Sequence, residues 1–280
     1  MNSPNPITHL FRLLLVTALA PALNASAQST WTNSAGGNWS GAGNWSGGAP
    51  VSGGTTILNF TTAGAYAVTN DLPGVFQLNQ VNFAGPTLSL RGNNLQLAGS
   101  NPLVNQNGAG PVTNFTSVEL ATNVTLGGVG GGTMTFVGAL TGSGSLTKTN
   151  GGTLTIPVAH SYSGGTVVLG GTLNPHGNGS GASLNYFGTG TLTLANGVTL
   201  RPTDATGQPV RIPNAISLSG GTVNAPIPFG GGTDLRLDGV VSGPGGFSVS
   251  GGTRWLSLYG SNTFSGGVTL NDGNRVQMIN

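Results

Sequence analysis

The feature that most constrains this chain is a period-two alternation that restarts every few residues. From Thr55 onward, short runs alternate Thr or Ser with Leu, Ile or Val and then meet Gly or Asn: TTILNF (55–60), TLSL (87–90), NLQLAG (94–99), TLTI (153–156), TLTLAN (191–196), ISLSGG (216–221) and TDLRLDG (233–239). Period two is the signature of strands with one buried and one wet face. The runs follow one another too closely for crossover helices.

Composition points the same way. Gly occurs 51 times in 280 residues and charged residues make up 5% of the chain, against about 25% in ordinary domains. Too few Glu, Lys and Arg are present to clothe helix faces, and each Gly in a helix interior costs about 1 kcal/mol against Ala. Charge-driven disorder is also excluded, because 37% of the residues are hydrophobic and the net charge is only +2. Eight basic residues against six acidic ones form no stripe that could neutralise a run of phosphates, so no nucleic-acid partner is expected. With no Cys, disulfides and thiolate metal sites are ruled out.

At the N-terminus, His9 and Arg12 flank the start of an apolar run at 13–23, LLLVTALAPAL, and Ala25-Ser26-Ala27 follows. The run is too short to span a membrane, and small residues at 25 and 27 suit a cleavage site. Residues 1–27 therefore read as a signal peptide cut after Ala27. The remainder carries no second run of membrane length, and the expected location is outside the cell.

The idiom also repeats at long range. Residues 138–173 align with 239–275 at an offset of 101, becoming 102 after an insertion near Arg254. Gly142, Gly144, Ser163, Gly164 and Gly165 match Gly243, Gly245, Ser265, Gly266 and Gly267, while Leu146 and Tyr162 are answered by Phe247 and Phe264. A solenoid explains this pattern: stacked coils bury inward Leu, Ile and Val, corners demand Gly and Asn, and outward Thr suits extended backbone. At about 20 residues per coil, the chain from Gln28 makes roughly 12 coils, a rod of roughly 55 to 60 Å, and the offset becomes about five coils. The expected layout is a Trp- and Gly-rich capping segment at 28–54 and the solenoid at 55–280, incomplete at its C-terminal end, where end-to-end self-association could follow.

The segment 142–173, GSGSLTKTNGGTLTIPVAHSYSGGTVVLGGTL, resembles the autotransporter-associated β-strand repeat of exported bacterial proteins. Gly142, Gly144, Leu146, Thr147, Lys148, Gly152, Thr153, Leu154, Tyr162, Gly164, Gly165 and Thr166 fall on the family pattern. Pro157-Val158-Ala159-His160 departs from the usual S-G-x-N, which Gly260-Ser261-Asn262 restores in the second copy, and Val249 stands where the family has Lys. The resemblance implies an all-β, right-handed parallel β-helix (β-solenoid) of pectin-lyase-like architecture, displayed on the cell surface or secreted. It also sets the Asn-x-Ser/Thr triplets aside as glycan acceptors.

Candidate chemistry is sparse. Asp234 and Asp238 flank Arg236 on one outward strand face, about 13 Å apart along the strand, too far for a paired acid and base unless a neighbouring coil contributes. His160 and His176 have no sequence neighbours suited to metal and read as loop histidines. Lys148, the only lysine, reads as an outward repeat residue. Trp31, Trp39, Trp45, Tyr66 and Tyr259 are candidates for stacking on sugars, weighed against coil capping and core packing. The expectation is therefore a non-enzymatic exported solenoid acting as a surface passenger, stalk or adhesin-like segment. No catalytic, cofactor or metal residues are assigned, and its partner would be an extracellular polysaccharide or a cell-surface component. Two alternatives are a polysaccharide-binding or polysaccharide-cleaving β-helix and a truncated remnant of a longer autotransporter-like protein.

Overall fold

The computed structural model describes residues 27–85, 87–177, 179–227 and 233–279; the signal peptide expected at 1–27 lies outside them apart from Ala27. The chain winds into a β-solenoid of about ten turns, with no α-helix among the described residues. Each coil supplies strands to up to three faces. The first face runs from Gln28–Trp31 through Ile57–Phe60 and Gln80–Phe83 to Val241–Ser242, and the second from Gly37–Asn38 through Ala65–Asn70 to Val268–Leu270; each is an 11-stranded sheet. The third face consists of two four-stranded blocks, Phe76–Leu78 to Leu140–Thr141 and Val210–Ile212 to Arg275–Ile279.

Among the described residues, all strand pairs are parallel except one. Trp45–Ser46 folds back antiparallel on Gln28–Trp31, so the parallel ladder begins at Gln28, ahead of Thr55. Beyond the first coil, strand partners lie from 19 residues apart (Thr153 and Thr172) to 27 (Thr172 and Thr199). Coils longer than the expected 20 residues are why there are about ten turns in place of 12. At about 4.8 Å per strand the stack is about 48 Å long.

The alternation seen in the sequence sets the core. Inward Leu88, Val112, Met134, Leu154, Leu173 and Leu200 stack in one column across successive coils, and all are buried. Burial of each such side chain is worth about 1.5–3 kcal/mol. On the outside of the first face, Asn59, Asn82 and Asn105 form an amide ladder, Asn82 donating to Asn59 at 2.7 Å and Asn105 to Asn82 at 2.8 Å.

The two repeat copies do not occupy the same faces. Leu140, Leu146 and Leu154 lie on the third, first and second faces, whereas their aligned partners Val241, Phe247 and Leu256 lie on the first, second and third. Following the third face from Leu140 through Ser161, Asn185 and Arg211 to Arg236 makes four coils. The offset is therefore four coils and one face, where five coils had been expected. The two phasings make the same local demands, an inward apolar residue and a glycine at the corner. Gly142 and Gly243 show this: both have positive φ (101° and 105°), and a Cβ on either would fall 2.4 or 2.3 Å from a carbonyl oxygen one coil below.

The N-terminal end is closed by aromatic rings. Trp31, Trp39 and Trp45 are 1%, 0% and 4% exposed. Trp45 meets Trp31 and Trp39 edge-on at 4.9 and 5.7 Å between centroids, Phe60 continues the stack to Phe83 at 5.6 Å, and the Trp45 indole N–H donates to the Trp39 carbonyl at 2.9 Å. Replacing Trp45 by Ala removes the keystone of this layer and is expected to destabilise the fold by about 3–5 kcal/mol, read as a lower midpoint in urea unfolding followed by tryptophan fluorescence.

Candidate functional site

Charged and aromatic side chains converge most densely on the C-terminal block of the third face. Period two turns Leu235 and Leu237 inward and Arg236 outward. Register then stacks Arg211, Arg236, Ser257 and Gln277 in one outward column. Two guanidinium groups one coil apart repel, and Asp238 offsets that repulsion. Its carboxylate accepts from Arg211 Nε and Nη2, both at 3.1 Å, from Ser183 Oγ at 3.0 Å, and from Arg236 Nε on its other oxygen. The Arg236 guanidinium also lies over the Tyr259 ring, 3.5 Å from its centroid, and Arg275 sits 5.3 Å from the ring centre of Trp255. Such stacking is worth about 0.5–1 kcal/mol where exposed.

Asp234 and Asp238 flank the strand Leu235–Leu237 and face opposite neighbours. Asp234 accepts the backbone N–H of Trp255, one coil later, at 3.0 Å, while Asp238 reaches back to Arg211, one coil earlier. The neighbouring positions in the column are Arg211 and Ser257, so neither adjacent coil supplies a carboxylate beside Arg236. The arrangement can hold an extended polar ligand over a platform of stacked rings and guanidinium groups.

Of the aromatic candidates for sugar stacking, Trp31, Trp39, Trp45 and Tyr66 are buried in the core, and Tyr259 alone reaches the outer surface, beside Arg236. Trp255, which sequence reasoning passed over, joins it there. Its position two residues before Ser257 in an alternating run, WLSLY, was the available signal.

Lys148 corrects its sequence reading. It points inward between Leu126 and Val168 and is 1% exposed. Its polar character alone suggests an outward position, whereas its register sets it two residues from inward Leu146. Its ammonium donates to the carbonyls of Asn150 at 2.6 Å and Gly170 at 2.9 Å and to Asn150 Oδ1 at 2.9 Å. Burial pulls its pKa down to about 8. Val249 fills the aligned inward position in the second copy without any such cage.

His160 is an internal fixture. Its Nδ1 accepts the backbone N–H of Leu140 at 3.1 Å, and the side chain is 3% exposed. The aligned Asn262 does the same work with Oδ1, accepting from Val241 at 2.8 Å, and Leu140 and Val241 are themselves an aligned pair. His176 instead contacts Thr203 Oγ1 through Nδ1 at 2.8 Å, near Asp204. Burial works to raise the Asp204 pKa, but the hydroxyl and N–H of Thr206, the N–H of Gly179 and nearby His176 carry it below the usual carboxylate range. Among the described residues, no three His, Asp or Glu side chains come together to hold a metal.

With this geometry in hand, comparison with known proteins adds one relative. Over 166 residues the chain is 33% identical to the Adhesin BmaC autotransporter of Brucella suis biovar 1 (strain 1330), a match covering 52% of this chain and 5% of that protein. The chain thus spans a small part of the length of the curated relative it matches. No family model matches, and no solved structure does.

Burial, partly offset by the Ala159 carbonyl, lowers the His160 pKa to about 4, against about 6.5 in an unfolded chain. The folded state therefore resists protonation that the unfolded state accepts. Stability is at its full value above pH 6.5 and falls as the pH drops toward 4, by about 2 kcal/mol between pH 7 and pH 5. His160→Asn, which copies the aligned residue and keeps the acceptor, is expected to remove that contribution. Urea unfolding of both proteins at the two pH values checks it.

Proposed function

We propose that this chain is a passenger-type segment displayed outside the cell, an adhesin-like structural surface without catalytic activity of its own. The observation that carries this reading is that the in-register ladder of about ten coils takes up the carboxylates and the lysine that acid–base or nucleophilic chemistry would draw on. Asp238 is shared by two arginines and a serine, Asp234 caps the next strand, Glu119 accepts from Gln96 at 2.7 Å, and Lys148 is caged by carbonyl oxygens. Likeness to a protein named as an autotransporter adhesin supports the same role. The repeat-like segments at 138–173 and 239–275 support membership of the autotransporter-associated repeat family. Export through an N-terminal signal peptide belongs to the same reading.

A second reading is favoured by one surface. Trp255, Tyr259, Arg236 and Arg275 present stacked rings and guanidinium groups along the third face, a chemistry suited to acidic polysaccharide. The purified chain is to be screened on a glycan array, in an adhesion assay on coated surfaces, and for unsaturated or reducing-end products. Adhesion or glycan capture without turnover is the expected result, and product release would overturn the non-enzymatic reading. If glycan capture runs through the third face, Trp255→Ala is expected to weaken it several-fold, since it removes one ring of the platform, with urea unfolding confirming that the variant remains folded.

A further inference from the structure

The outer surface of the second face carries two adjacent columns of hydroxyl residues, whereas on the first face the column of Thr125, Thr147, Thr193 and Ser217 is broken by Val167 and flanked by Gly127, Leu169 and Ala195. Thr87, Thr133, Thr153 and Thr172 occupy one outward column, and Ser89, Thr113, Thr135, Thr155 and Asn174 the next; Pro111 interrupts the first column. Adjacent strands are in register, so the two columns form a rectangular net. Its spacings are about 4.8 Å along the solenoid and about 6.6 Å between alternate residues of a strand. Coil length varies, yet the register of these strands does not slip; the extra residues leave through the corners and the other faces.

On the first face the amide column hydrogen-bonds to itself. On the third, Gln96 bonds Glu119, and Asp238 gathers its arginines. In the net, the hydroxyls of Thr87, Thr113, Thr133, Thr135 and Thr153 make no side-chain hydrogen bond among the described residues, Asn174 donates to Thr155 over a long 3.4 Å, and only at the edge does Asn174 accept from Thr203, at 2.7 Å. No charged residue stands in either column between Thr87 and Asn174. Threonine on a strand is stiff at χ1, so these hydroxyls and methyls hold their positions before any ligand arrives and lose little freedom on binding.

A ligand matched to such a net must itself repeat in two directions. A sugar chain repeats in one and calls for aromatic platforms, which the net lacks. Hexagonal ice repeats its oxygens in two perpendicular directions on its prism faces, one repeat close to the strand spacing and the other somewhat longer than the alternate-residue spacing, and its surface water can both donate to and accept from hydroxyls while settling against methyl groups. We propose that the second face is an ice-binding surface whose ligand is the water lattice of ice. This goes beyond the surface-passenger reading and does not depend on it, because the net is a property of the folded chain wherever it is displayed.

The test is thermal hysteresis and partitioning into a growing ice hemisphere, measured on the purified chain. The expected result is a gap between melting and freezing points, faceted crystals, and enrichment of the protein in ice. Thr135→Tyr and Thr155→Tyr, each projecting a ring from the middle of the net, are expected to lose most of that gap. Thr147→Tyr, outward on the first face, is expected to keep it. Circular dichroism melts establish that all three variants are folded. A folded wild-type chain that shows no hysteresis and is excluded from ice overturns the proposal, as does equal loss in Thr147→Tyr. Capture by powdered cellulose or chitin without ice activity also overturns it, in favour of a crystalline polysaccharide.

Discussion

Everything in this molecule hangs on the backbone ladder that each coil offers to the next. A strand with one apolar face cannot bury it alone, and its unpaired N–H and C=O groups cannot remain in the interior without a partner. Stacking in register satisfies both demands at once. Each coil is the template for its successor, and side chains of one type are drawn into columns: leucines within, amides on the first face, hydroxyls on the second. The core is thus continuous from the Trp layer to the last strands, and contacts pass from neighbour to neighbour with no central nucleus.

The same template makes corners expensive to alter. Where the chain turns from one face to another, its backbone passes close to the carbonyl of the coil below, and at Gly142 and Gly243 that approach leaves no room for a Cβ. The chain can lengthen outward at corners but cannot thicken inward. The uneven coils are compatible with this; third-face strands lapse between Thr141 and Val210, where single backbone hydrogen bonds at Ser161 and His160 and the isolated bridge of Ser183 with Arg211 carry the stack.

Much of the architecture was legible in the sequence because period-two alternation and glycine corners are local signals. TLTI at 153–156 and ISL at 216–218 became strands with the expected inward leucine or isoleucine. What the sequence hid was phase. Lys148 is polar, and nothing local says that it points inward; only register beside Leu126 and Val168 decides it. His160 was similarly opaque, because the N–H it accepts, from Leu140, lies one coil away. At the candidate site the sequence placed Asp234, Arg236 and Asp238 on one face but could not show that Asp238 would reach back to Arg211, since that contact crosses coils of unequal length.

The one-face rotation between the two repeat copies bears on how such chains change length over generations. Here the repeated unit is a strand with its corner, and the two copies seat it on different faces. A duplicated stretch can rejoin the stack out of phase with its parent and still find a glycine, an inward apolar residue and an outward hydroxyl where the new seat needs them. Surface chemistry is then reshuffled at every such event while the interior stays fixed, so one ancestral motif can be shown to the outside on a different side of the rod.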